Sequence, residues 1–222
     1  MKKLITFYSE THQKLYYIFD TTLKSLNLEN YDVRSKKIDQ ISPTGEYESP
    51  GFDLAMLEKI SWIIENIDVN DPNYLIFSDC DVQFFRDIYE DLGEYDIKFQ
   101  EDLGSYCAGF FIAKQNNIVL EFFKYVYEAL KMNLNGVIHD QTMINYILNN
   151  NAFPGIKVGM LPRDKYWTVA NVNGGKRWET GDIITEVPSN IVMHHANFTV
   201  GISNKINLLS EVRRKYVHSF TN

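Results

Sequence analysis

Cysteine is scarce. Only Cys80 and Cys107 occur in 222 residues, which excludes a disulfide framework as the source of stability and fits a reducing, cytoplasmic setting. Long apolar runs are missing as well. No segment approaches the roughly 18 apolar residues that a membrane span requires, so no integral membrane segment is expected. The N-terminal "MKKLITFYSE" offers an apolar run only at residues 4–8, too short for the core of a secretory signal. Positive charge is in deficit, with 22 Lys and Arg against 29 Asp and Glu and a net charge of −7. That argues against a nucleic-acid surface, which needs a basic footprint. It leaves room for an anionic small ligand, because a bound cation can mediate between acidic residues and phosphate. Internal repeats, low-complexity tracts and Pro/Gly-rich linkers are also absent. The glycine-bearing "NGGKRW" at 173–178 lacks the Gly-Lys-Ser/Thr ending of a Walker loop. With 45% hydrophobic residues, a chain of this length buries one substantial core, and residues 1–222 are expected to form a single domain.

What is present is an alternation of periods. Residues 3–8 read as a strand. Residues 11–26 read as a helix with Leu15, Ile18, Phe19, Leu23 and Leu26 on one side. A strand at 31–38, a helix at 52–67 carrying Leu57, Ile60, Ile64 and Ile67, and a strand at 74–78 follow. This βαβαβ order predicts an α/β, Rossmann-like domain with a mixed, mostly parallel central sheet flanked by helices. Ligands are expected beyond the carboxyl ends of its strands. In the second half, short strands are expected at 95–99, 108–113, 157–161 and 190–195. One helix stripe is formed by Ile118, Phe122, Tyr125, Val126 and Ala129, and another by Met143, Ile144, Ile147 and Leu148. "NNNAFPG" at 149–155 reads as a helix stop. A last helix begins near Ser203 and carries Ile206, Leu209, Arg213 and Tyr216.

The chemistry-bearing stretch is "YLIFSDCDVQFF" at 74–85. A buried, uncompensated carboxylate is very costly, so Asp79 and Asp81 at the end of an apolar strand are solvated, paired or bound to a cation. In an extended segment residues i and i+2 project to the same side. The pair then aims two hard oxygen donors at one point, which suits magnesium or manganese, while Cys80 faces away and packs. These residues alone leave a polar turn and a metal site both open. A second reading, a haloacid-dehalogenase-like phosphohydrolase, also places an Asp-X-Asp after an apolar strand, but Gln83 stands where that class has Thr or Val.

Four stretches in order extend the pattern: "YLIFSDCDVQFFRD" (74–87), "YCAGFFIAK" (106–114), "HDQTMINYIL" (139–148) and "HHANFTVGISNKINLL" (194–209). Together they resemble the nucleotide-diphospho-sugar transferase family of GT-A fold glycosyltransferases. The resemblance implies metal-dependent transfer of a sugar from a nucleoside-diphosphate sugar, commonly a UDP-sugar, to a hydroxyl of a glycan or related acceptor. It assigns Asp79 and Asp81 to a divalent ion, Mn2+ or Mg2+, and to the donor. His195 completes the metal site, with a structural histidine as the alternative. It places Asp140 and Gln141 beside the donor sugar, with a helix N-cap as the alternative for Asp140. Asp102 or Glu101, on the loop expected at 100–104, is either a base for the acceptor hydroxyl or an exposed carboxylate. Thr6, Phe7 and Tyr8 are placed at the nucleotide, and Lys59 on the helix before the Asp-X-Asp strand is placed among the donor contacts. Gly109, with Ala108, leaves room under the sugar. Gly201 and Lys205 meet the diphosphate, although relatives space their His, Gly and Lys more tightly. Cys107-Ala108 departs from the Asn-Thr that family members often carry. Arg86 is expected to pair with Asp87 or Asp91, with a contact to the donor as the alternative. A non-catalytic nucleotide-sugar-binding module with the same fold is the third reading.

Overall fold

The computed structural model describes residues 2–26, 29–44, 49–134 and 139–218. A six-stranded sheet runs through the centre. Its strands are β1 (Lys2–Tyr8), β2 (Tyr31–Lys37), β3 (Leu75–Ser78), β5 (Ile97–Asp102), β6 (Ser105–Ala113) and β7 (Val158–Met160), in the order β2-β1-β3-β6-β5-β7. Pairings β1/β2, β1/β3 and β5/β7 are parallel, whereas β6 runs antiparallel to both β3 and β5. The expected mixed, mostly parallel sheet is therefore present. A small second sheet joins β4 (Val82–Phe84), β9 (Met193–His195) and β8 (Tyr166–Trp167), in the order β4-β9-β8.

Strand sequences follow their positions. β3, "LIFS", is buried along its whole length between β1 and β6, which is why it lacks polar alternation. β2, "YDVRSKK", lies at the sheet edge and is largely exposed; its charges blunt an edge that would otherwise pair with another chain. Alternation within β3 divides the core. Leu75 and Phe77 join one apolar cluster and Ile76 joins the other.

Three helices cover the first face: α2 (Phe52–Asn66), α3 (Asn117–Met132) and α4 (Asp140–Asn149). Ile60 and Ile63, Phe122, Phe123 and Val126, and Met143, Ile144 and Ile147 pack there on Phe77, Phe99 and Phe111. The opposite face carries Leu4, Ile76, Phe110 and Ile112. These meet Phe19 and Leu23 of α1 (Gln13–Lys24) and the inner side of the small sheet. A third cluster seats α6 (Ile202–His218), through Leu208, Leu209 and Val212, on Leu15, Trp167 and Trp178. Asn116 caps α3 by accepting from the Val119 N–H at 3.0 Å. The stop after α4 occurs where expected, with Asn151 in a left-handed conformation at φ 51°.

Several expectations shift. The helix placed at 11–26 opens as a 3-10 turn, Glu10–His12, before α1. The strand placed at 95–99 runs from Ile97 to Asp102, and that at 190–195 shrinks to Met193–His195. β4, β8 and the one-turn α5 (Ala170–Asn173) are too short to show a period. Tyr125 is 44% exposed, at the shoulder of its stripe, where its ring leans on Phe153. Among the described residues no helix is long and apolar enough to cross a membrane.

Phe111 is the hub of the first face, with ring centroids 5.4 Å from Phe77, 5.4 Å from Phe99 and 5.1 Å from Phe123. Phe111→Ala is expected to lower unfolding free energy by about 3–5 kcal/mol, read by urea titration. Tyr125→Ala should cost much less in the same assay.

Candidate active site

Beyond the carboxyl end of β3 the chain does not continue as a strand. Residues 79–81 form a tight turn between β3 and β4, so the expected strand alternation is not what orients the two aspartates. The turn is held at both ends instead. Asp79 N–H donates to the Gly109 carbonyl at 2.7 Å, and the Asp81 carbonyl accepts from Ala196 N–H at 3.0 Å. Cys80 points inward and packs with Leu15 and Trp167, as expected for the residue between them.

The antiparallel pairing of β4 with β9 sets Val82 opposite His195 and Gln83 opposite His194. The two histidines part company there. His194 is buried against Trp167, with its Nδ1 3.3 Å from the Gln83 amide nitrogen. His195 turns to the aspartates, its Nε2 3.2 Å from Asp81 Oδ1. Asp79, Asp81 and His195 each present one ligand atom within 4.8 Å of the others. Two carboxylate oxygens and one imidazole nitrogen at that separation suit a hard or borderline divalent ion.

Two lysines hold the carboxylates. Lys59 of α2, only 3% exposed, lies 3.0 Å from Asp79 Oδ1 and 2.8 Å from Asp140 Oδ2. Lys205 of α6 lies 2.6 Å from Asp81 Oδ2. Burial disfavours the Asp79 carboxylate and raises its pKa, with Lys59 pulling against it. Burial works on Asp81 too, but Lys205 and His195 outweigh it and hold that carboxyl well below its usual range. Burial alone would lower the His195 pKa; Asp81 reverses this and lifts it to about 10. A cation entering between these groups thus competes with a proton on His195.

Asp140 opens α4 as its first residue, and His139 takes the N-cap position. That corrects the N-cap alternative for Asp140, whose carboxylate is instead paired with Lys59. Gln141, next in the turn, donates to Asp102 Oδ2 at 2.7 Å and accepts from Ala108 N–H at 3.3 Å. Glu101 turns away, accepting from Gly104 N–H at 2.6 Å. Gly109 is the point of closest approach. A Cβ there would lie 2.4 Å from His195 Cε1 and 2.7 Å from Asp79 Oδ2, so no larger residue fits. Gly201, at φ 86°, precedes α6, and its carbonyl accepts the Lys205 N–H.

These residues border a cavity of about 530 Å³ that also takes in Phe7, Tyr8, Asp102 and Gly201. Tyr8 stacks on Tyr16 with centroids 4.0 Å apart. Thr6 is not among the lining residues; it is fully buried in β1, and its carbonyl accepts from the Trp62 indole N–H. Arg86 pairs with neither Asp87 nor Asp91, but donates to the Ser189 carbonyl at 2.7 Å. Sequence reasoning passed over His12, Asn197 and Arg177, which also line the cavity. His12 sits in the turn right after the expected nucleotide loop; its Nδ1 is 3.1 Å from the Ser9 hydroxyl, and burial, then Lys205, lowers its pKa. Nothing in its spacing announced it.

An α/β sheet with an acidic turn beyond the third strand, facing a cavity closed by a late histidine and lysine, is the arrangement of a GT-A glycosyltransferase. The fold agrees with solved structures. The galactosyltransferase LgtC, determined with donor and acceptor sugar analogs, superposes with a TM-score of 0.55 at 12% identity, covering 88% of this chain and 87% of that one. A glycosyltransferase involved in glycosylation of the major capsid of PBCV-1 gives 0.60 at 11% identity, over 88% and 93%. GlyE from Streptococcus pneumoniae TIGR4 gives 0.57 at 12% identity over 99% of this chain, which spans 63% of that one. No curated protein sequence matches significantly. Residues 18–209 match the family model for nucleotide-diphospho-sugar transferases, and the chain belongs to that family. It is a glycosyltransferase, and the phosphohydrolase reading falls.

Gly109→Ala is expected to push the His195 ring and the Asp79 carboxylate apart. Displacements of about 1 Å cost on the order of 10²-fold in rate. Sugar transfer should fall at least that far, measured against the thermal midpoint of the same variant.

Proposed function

We propose that Asp79, Asp81 and His195 bind a divalent cation, Mn2+ or Mg2+, against the diphosphate of a donor sugar nucleotide. The donor is a UDP-sugar, and the sugar passes to a hydroxyl of a glycan or related acceptor. The observation that carries this reading is the three-ligand cluster on the cavity floor, flanked by lysines on both sides. A Gly109 that leaves no space for a side chain beside it supports the fit. When bound, the ion stabilises negative charge developing on the departing diphosphate.

The chain's own residues divide the remaining work. Lys205 and the backbone around Gly201 meet the phosphates, Lys205 acting as a point charge. Tyr8 and Phe7 receive the base, and Thr6 supports their strand from below. Lys59 fixes Asp79 and Asp140 together, so the metal side and the sugar side of the cavity keep one geometry. Asp140 and Gln141 hold the donor sugar through its hydroxyls. In the reaction the bond between the anomeric carbon and the diphosphate oxygen breaks, and its electron pair leaves with the nucleoside diphosphate. The acceptor oxygen bonds the same carbon and gives its proton to Asp102, held in place by Gln141.

Thermal melts with Mn2+ and UDP, singly and together, test the reading. Ligand at 100 times Kd stabilises by about 2.7 kcal/mol, and the wild type should show that shift with GDP markedly weaker. Asp79→Ala and Asp81→Ala should abolish the shift and nearly all turnover while remaining folded. Absence of any response to Mn2+ plus UDP in the wild type would overturn the metal and donor assignment. Binding with neither transfer nor donor hydrolysis would make the protein a nucleotide-sugar-binding module.

A further inference from the structure

We infer that Gln100 is a positioning residue that fixes the tautomer and ring orientation of His195, so that Nε2 is the nitrogen offered to the cation site. The inference rests on the metal reading above and concerns a residue that touches neither metal nor substrate.

Gln100 is fully buried, 0% exposed, in a strand whose neighbour Phe99 belongs to the apolar core. A primary amide there costs free energy unless its polar atoms are paired. Its nitrogen lies 3.4 Å from the Tyr166 carbonyl and 3.4 Å from the Trp167 carbonyl. Carbonyl oxygens only accept, so the amide nitrogen belongs on that side and Oε1 on the other. The reversed amide would set three oxygens against one another. Oε1 lies 2.8 Å from His195 Nδ1. An amide oxygen only accepts, so Nδ1 carries a hydrogen. In a neutral imidazole the lone pair then resides on Nε2, the atom 3.2 Å from Asp81 Oδ1.

The backbone is shaped to bring this about. Along β5 and β6, Phe99 pairs with Phe111, but the next residue, Gln100, pairs with Cys107. The slip leaves 108–110 unmatched. Such bulges re-aim side chains beside active sites. Gly109 lies within the unmatched stretch and packs against the His195 ring so closely that a Cβ would clash with Cε1 at 2.4 Å. Cys107 Sγ stands 3.8 Å from Nδ1 as a weaker neighbour. The two carbonyls come from β8, which pairs with β9, the strand bearing His195. One small sheet therefore supplies both the ring and the anchor of the group that holds it.

Mn2+ binding, followed by the EPR signal of free ion, is compared in the wild type, Gln100→Met and Asp81→Ala. Methionine keeps the volume and removes the acceptor. Loss of a partner behind a metal-bound histidine weakens affinity roughly 10–100-fold, and Gln100→Met should show that drop with its metal-free melt retained. A second measurement needs no variant. Long-range 1H–15N spectra of the Mg2+-saturated wild type, labelled at histidine and assigned by the signal lost in His195→Gln, should show Nδ1 protonated and Nε2 unprotonated. A wild type that binds no Mn2+ sinks the metal reading and this inference together. A wild type that binds Mn2+ while Gln100→Met binds equally well, or while Nδ1 carries no hydrogen, overturns the role of Gln100 alone. If Gln100→Met does not fold, the wild-type spectrum decides.

Discussion

Everything at this site depends on the pairing of charge among largely buried groups. Three carboxylates, Asp79, Asp81 and Asp140, face two lysines and a histidine whose pKa Asp81 raises. Moving an ion out of water costs several kcal/mol even after relaxation, and apolar replacements of similar shape are often as stable or more so. Such a cluster is weak evidence of stabilisation. Its bearing on function is that perturbed titrations concentrate where charge is made or moved. The rest of the fold serves to hold the six groups in register.

The first half of the fold was legible because its elements are long enough to show a period. Helix α2 and strands β1 to β3 read correctly from spacing alone, and Asp79 with Asp81 stood out because they are nearly adjacent in the chain. Their shared direction was right for the wrong reason: a turn pinned by Gly109 and Ala196 orients them, not strand alternation. Thr6 was placed at the nucleotide with Phe7 and Tyr8, yet the strand carries its side chain into the buried layer. The family pattern brought His195, Gln141 and Lys205 into view, where residue chemistry alone left structural roles open.

What stayed hidden is non-local. Lys59 meets Asp79 from 20 residues away and Asp140 from the far half of the chain. Gln100 meets His195 across 95 residues. No spacing rule reaches such distances. Strands β4 and β8 escaped notice for a simpler reason, since two or three residues cannot display a repeat. These short strands matter because they align the late histidine with the early aspartates.

The separation between partners also shapes how the molecule comes into being. Asp81 and Lys205 lie 124 residues apart, yet their side chains meet at 2.6 Å. Closing loops of that size must precede any reward from the contact, and topologies rich in distant pairings fold slowly. The helix bearing Lys205 follows every strand of both sheets in the sequence, so the Asp81–Lys205 contact is among the most non-local in the fold. The Asp81–Lys205 corner of the cavity thus carries a larger loop-closure cost than the β1–β2 and β3–β6 pairings, which join elements much nearer in the chain.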